Sequence, residues 1–353
     1  VIAMPLQYDI DAAISFLVEL LHIPSPTGRT DEAIAFVRAA FEALGVPGLT
    51  AQVTPKGALI LTVPGQHSDA PRGLTAHVDT LGLMVKDIKP NGRLKATLLG
   101  GSMWNAVEFE GVTVETHHGT RIRGTVLPAN PSVHVSKDVA TAVRAEAMME
   151  VRLDARTCSA AETRALGVEV GDFVFVDARV EVTDTGFIRS RHLDDKLSVA
   201  CIYAALRALA AAGERPAQRT TILISNYEEV GHGGSGGWPD DLVELVAVDM
   251  AAMGDGQASD EYHCTLCLKD SGGPYEYALN RRLRDLAASE GFPLVPDIYP
   301  FYASDGTAYW RGGGQARVAL IGPGVDASHA YERAHRDGLL HTAQVIGAYL
   351  QTP

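Results

Sequence analysis

The sequence predicts an α/β protein, a mixed sheet flanked by helices, with an all-β domain inserted into it. Helical and strand-like segments alternate before about residue 86 and again after Asp194. Between Asp87 and Thr185 the texture changes to short strands separated by turn signals. The chain has 353 residues and is 46% apolar, which is enough for a large core and more than one domain.

The elements follow in order. Ile10 to His22 carries Ile14, Leu17, Val18 and Leu21 at helical spacing, and Pro24-Ser25-Pro26-Thr27-Gly28 breaks it. Thr30 caps a second helix, Asp31 to Leu44, which Gly45 ends. Short strands are predicted at Leu59 to Val63 and Gly73 to His77. In the β-rich stretch, Pro90-Asn91-Gly92, His118-Gly119 and Gly171-Asp172 mark turns of a small barrel or sandwich, with one short helix at Ala160 to Leu166. Beyond it come an Ala-rich helix, Leu197 to Ala212, and buried strands at Thr221 to Ser225 and Leu245 to Val248. A helix at Leu279 to Glu290, a strand at Arg317 to Ile321 and a helix at Gly338 to Leu350 complete the pattern.

Composition excludes several classes. The formal net charge is −13 and there is no dense Lys/Arg run, which argues against a nucleic-acid partner. No apolar run approaches the roughly 18 residues that span a membrane. Val1 to Asp9 lacks the basic and apolar regions of a signal peptide, so the cytoplasm is the expected location. The four cysteines are too scattered for a disulfide framework, and Cys264-x-x-Cys267 lies in an apolar strand-like run, as core cysteines do.

Five segments put histidine or acids at strand ends, where open α/β sheets gather their sites. In His77-Val78-Asp79, residues i and i+2 of an extended chain share a side, so the carboxylate can accept the spare ring N–H of the imidazole. Glu228-Glu229 follows a buried strand, and adjacent carboxylates repel unless a cation or proton intervenes. Asp194-Asp195 precedes a long helix, where a carboxylate either bridges cations or simply meets the helix dipole. Asp249 closes a buried strand, and His329 lies in a loop after one. Jointly, two histidines and several carboxylates form an oxygen and nitrogen ligand set suited to paired divalent ions. The glycines from Gly231 to Gly237 lack the Gly-Lys-Ser/Thr of a phosphate loop.

The order of these motifs resembles the family of glutamyl, deblocking and tetrahedral aminopeptidases, which belongs to the co-catalytic zinc peptidases. The resemblance runs along nearly the whole chain, through His77-x-Asp79, Leu193-Asp194-Asp195-Lys196, Glu228-Glu229-Val230-Gly231, Val248-Asp249 and His329. It implies an aminopeptidase with two divalent ions per subunit, zinc or cobalt. His77 and Asp249 would hold one ion, Glu229 and His329 the other, and Asp194 would bridge them. Asp79 would orient His77, and Glu228 would be the general base. The catalytic α/β domain would comprise residues 1–86 and 187–353. Residues 87–186 would form an inserted β-barrel-like domain that shapes a homo-oligomer, dimers building a tetrahedral dodecamer. Thr80, His192 and Lys196 depart from the family's usual residues and remove no ligand, and Ser198 stands where the family often has a small residue. Two rival readings stay open: a carboxypeptidase or deacylase on the same centre, and an oligomeric homologue without catalysis.

Overall fold

The structure, a computed structural model, describes residues 6–353. The expectation for Val1 to Asp9 falls partly on residues 1–5, outside the described residues. No helix among the described residues is long and apolar enough to cross a membrane.

A ten-stranded mixed sheet forms the larger body. Its central strands are His67–His77, Gln218–Ser225, Glu244–Val248 and Arg317–Val325, and each neighbouring pair is parallel. Such strands are buried on both faces and therefore read as continuous apolar runs. The register fixes the site. Ser225 lies opposite His77, Ala247 opposite Thr75 and Val248 opposite Ile321, so the chain leaves three strands at one edge of the sheet.

The helices Ile10–Leu21, Leu193–Ala212 and Arg336–Gln351 cover one face. The Ala-rich stretch of Leu193–Ala212 keeps side chains small, and Phe16 stacks on Tyr203 at 4.3 Å where it meets the first helix. Each large aliphatic side chain buried there contributes about 1.5–3 kcal/mol relative to exposure. Cys264 packs into this core and Cys267 into the smaller one across the sheet, because residues i and i+3 of a strand face opposite ways.

Six strands close a separate barrel, in the order Gly82–Ile88, Leu94–Leu99, Met149–Leu153, Arg121–Pro128, Gly111–Glu115 and Phe173–Val176. Leu83, Val85, Val112, Val114, Val126, Val151 and Val174 fill it. The barrel strands thus start five residues before Asp87 and end at Val176. Glu181–Val182 and Phe187–Ser190 lie outside it, in a three-stranded sheet with Glu332–His335. An ion network joins barrel to sheet domain: Arg29 and Arg121 each contact Glu115, at 2.7 and 2.8 Å, and both reach Glu32.

Candidate metal centre

His77 ends its strand fully buried, with Nδ1 2.9 Å from the backbone carbonyl of Asp79. That carbonyl takes the role the sequence suggested for the Asp79 carboxylate, whose nearest oxygen is 3.5 Å away. The Asp79 carboxylate is used elsewhere. It accepts Thr27 Oγ1 at 2.8 Å and the backbone N–H groups of Glu228 and Glu229 at 3.1 and 3.3 Å. Asp79 therefore fixes the turn on which both glutamates sit.

The ligating atoms converge. One group comprises His77, Asp195 and Asp249, and a second comprises Asp194, Glu229 and His329, with the possible ligand atoms of each within 4.8 Å of one another. Asp194 links the two, with Oδ1 3.3 Å from His77 Nε2 and Oδ2 3.4 Å from His329 Nε2. His329 Nε2 is also 3.5 Å from Glu229 Oε2, and Glu228 Oε2 is 3.7 Å from His77 Nε2. All seven residues singled out in the sequence, His77, Asp79, Asp194, Glu228, Glu229, Asp249 and His329, meet at this edge.

These atoms face a shared centre more than they face each other. His77 Nε2 and Glu229 Oε1 are buried, and among the described residues neither has a hydrogen-bond partner. Buried polar atoms are nearly always satisfied, so unpaired ones require a reason. Lone pairs of two imidazoles and several carboxylates around one space fit a pair of divalent cations.

The electrostatics agree. Burial and Asp249 push the Asp195 carboxyl well up, and burial with Asp249 and Asp305 does the same to Glu228. Burial and Asp194 raise Glu229 and bring Asp249 to about 7. Burial opposes charge on the imidazoles, yet the surrounding acids, Asp194 foremost, together outweigh it, raising His77 and pulling His329 up to about 10. Asp194, against its own burial, is held low by His329 and His77. A site that drives acids to keep protons lacks positive charge.

Two close approaches shape the centre. A side chain at Gly322 would strike the backbone carbonyl of Asp249, so a bare strand lets Asp249 N donate to Ile321 O at 3.0 Å. In the barrel's loop, a Cβ at Gly101 would sit 3.3 Å from the His329 ring, and the Gly101 carbonyl lies 3.0 Å from His329 Nδ1. The inserted domain thus orients one imidazole. A small recess opens beside Asp194, Glu229 and His329, lined also by Leu81, Val107, Val176 and His192.

Asp195 and Tyr302 escaped the sequence reading. Asp195 points into the first group, Oδ2 accepting His77 N at 3.2 Å while Oδ1 is unpaired. Tyr302 lies close enough to Asp249, Asp194, Asp195 and Glu228 for their charge to raise its phenol, after burial. Asp305 accepts Gly234 N at 2.5 Å and Ser225 Oγ beneath the glutamate turn. The adjacent doublet Asp194-Asp195 was the available signal for Asp195; nothing local marked Tyr302. Asp270 is buried in hydrogen bonds with Tyr275 and Thr307.

Mixed sheet, inserted barrel and an acid-and-histidine edge together define an α/β peptidase of the metal-dependent kind. The chain belongs to the M42 glutamyl aminopeptidase family, whose profile matches residues 57–345. It is 46% identical over 340 residues to the putative aminopeptidase YhfE of Bacillus subtilis, covering 96% of this chain and 97% of that one. A glutamyl aminopeptidase of Lactococcus lactis is 27% identical over 177 residues, 49% of this chain and 48% of that one. Among solved structures, the aminopeptidase APDkam598 of the archaeon Desulfurococcus kamchatkensis superposes with a TM-score of 0.84 at 19% identity, covering 97% and 95% of the two chains. The TET1 peptidase of Pyrococcus horikoshii, which can assemble into a tetrahedron or a large octahedral shell, gives 0.82 at 20% identity, with 97% and 100% covered. At these identities the two structures show the shared fold.

Proposed function

We propose that the chain is an aminopeptidase that removes the N-terminal residue of small peptides with two divalent ions per subunit, zinc or cobalt. The convergence of two ligand groups joined by Asp194, with His77 Nε2 and Glu229 Oε1 left unpaired, carries this reading. His77 and Asp249 would hold one ion and Glu229 and His329 the other, with Asp194 shared. When bound, such ions supply Lewis acidity to a scissile carbonyl and lower the pKa of a water from 15.7 to about 7.

The chain's own residues do the rest. Glu228 takes the proton of the attacking water and returns it to the leaving amine. Asp79 holds the backbone of Glu228 and so aims its carboxylate. The Asp79 and Gly101 carbonyls face the Nδ1 atoms of His77 and His329, which fixes both tautomers with Nε2 free.

Charge selects the end of the peptide. Asp79, Asp194, Asp195, Glu228, Glu229, Asp249 and Asp305 outnumber the positive charges of two divalent ions, which favours a substrate ammonium. A carboxypeptidase would need a free cation for the terminal carboxylate. Three basic groups around the centre are engaged: Lys56 with His232 O, Arg191 with Glu110 and Ala330 O, Lys196 with Leu20 O and Ile23 O. A peptide with a free amino end is expected to be cleaved and its N-acetylated twin left intact. Equal cleavage of both would favour the deacylase or carboxypeptidase reading; no cleavage of either at saturating Zn²⁺ or Co²⁺ would favour the non-catalytic one.

The barrel suits a role in homo-oligomer assembly, as dimers building a tetrahedral dodecamer. Met103, Val133, Val135 and Val143 are exposed in the inserted segment, Val135 at 88%. Four free cysteines fit a cytoplasmic location.

A further inference from the structure

Glu332 begins the strand Glu332–His335 and lies fully buried, in register with Ser190 of Phe187–Ser190. Its two oxygens serve two different segments. Oε2 accepts the backbone N–H of Asp194 at 3.0 Å, and Oε1 accepts the backbone N–H of His329 at 3.0 Å. Those are residues of the same ligand group, 135 positions apart in sequence, and both leave regular structure at that point. His329 has φ +65°, and Asp194 sits with φ −74° and ψ 103° where the helical path is interrupted. A side chain with positive φ is costly unless its surroundings hold it.

We propose that Glu332 is a positioning residue that clamps the backbones of Asp194 and His329 at their metal-binding separation. The proposal rests on the two-ion reading above. A carboxyl group is the one side chain whose two oxygens can each accept one of these N–H groups. Ser190 opposite Glu332 lies four residues before Asp194, so strand pairing delivers the carboxylate to both segments at once. Glu332 touches neither imidazole through its side chain; it acts through the main chain of the ligands.

The test uses the full-length protein with Glu332→Gln and Glu332→Ala. Glutamine can accept one of the two N–H groups but presents an amide N–H₂ to the other; alanine accepts neither. Affinity for Zn²⁺ and Co²⁺, measured by competition with a chelator, is expected to fall in the order wild type, Gln, Ala, with a loss of about 10–100-fold for Ala. Amide exchange at Asp194 and His329 should quicken in the metal-free variants. At saturating Co²⁺, the KM for a free-amino peptide should match wild type. Circular dichroism of the metal-free proteins reports folding, and if the Ala variant does not fold, the Gln variant decides. Wild-type metal affinity in a folded Gln or Ala variant overturns the clamp. A wild-type chain that takes up no ion overturns the two-ion reading along with it, which separates the two failures.

Discussion

Replacing Glu228 with glutamine is expected to lower kcat by about 10²–10⁴-fold while two ions per chain stay bound. The carboxylate stands 3.7 Å from His77 Nε2, next to the ligand atoms yet outside both ligand groups. Its backbone N–H is held by Asp79, so the amide variant keeps position and shape and loses only the capacity to take a proton. The neighbouring change, Glu229→Gln, should act differently. Glu229 Oε2 approaches His329 Nε2 and its Oε1 is unpaired, so its loss should show first as lost metal. Adjacent residues with separable defects, one in turnover and one in metal content, would distinguish base from ligand. A Glu228→Gln enzyme turning over near the wild-type rate would contradict the assignment.

Removing the metals should make stability fall steeply with pH. Burial raises Asp195, Glu228 and Glu229, brings Asp249 to about 7 and, with Asp194, brings Glu332 to about 8. Each of these holds its proton more tightly folded than unfolded. The folded chain therefore binds more protons across the window, and stability declines as pH rises through the folded values. His77 and His329 are raised as well, so their contribution also disappears with rising pH; Asp194, held low, works the opposite way. The melting temperature of the metal-free protein should fall from about pH 4, where these carboxyls ionise in the unfolded chain, to about pH 8, where Asp249 and Glu332 have lost their protons in the folded one. Added Zn²⁺ or Co²⁺ should restore it, and restore more at the alkaline end, because the cations replace the lost protons. A flat profile in the metal-free protein would mean the carboxylates are not as crowded as the structure has them.

Much of the centre was legible because each motif sits where a buried parallel strand stops. His77, Glu228 and Asp249 each follow an apolar run, and the period of those runs gives strand and direction together. Helices were legible for a similar reason: Ile10–Leu21 and Leu193–Ala212 bury stripes or whole circumferences against one sheet face. What stayed hidden depends on pairing at a distance. The edge of the barrel is one case. Gly82–Ile88 enters the barrel directly after the His77 loop, before any turn signal, while Glu181–Val182 looks β-rich like the insert and yet pairs with Phe187–Ser190 outside the barrel. The accepting partner of His77 Nδ1 is another. Spacing suggested the Asp79 side chain, but the carbonyl of the same residue is nearer, and the side chain is occupied by the glutamate turn. Gly101 and Glu332 belong here too, since their importance lies only in what His329 and Asp194 meet after folding.

The central claim, that two cations sit between His77, Asp194, Glu229, Asp249 and His329, is tested most directly by anomalous scattering from crystals grown with Co²⁺ or Zn²⁺. The account predicts two peaks per chain, one beside His77 and Asp249 and one beside Glu229 and His329, with Asp194 in reach of both. A fully occupied crystal with no peak there, or with its metal held elsewhere, would contradict it.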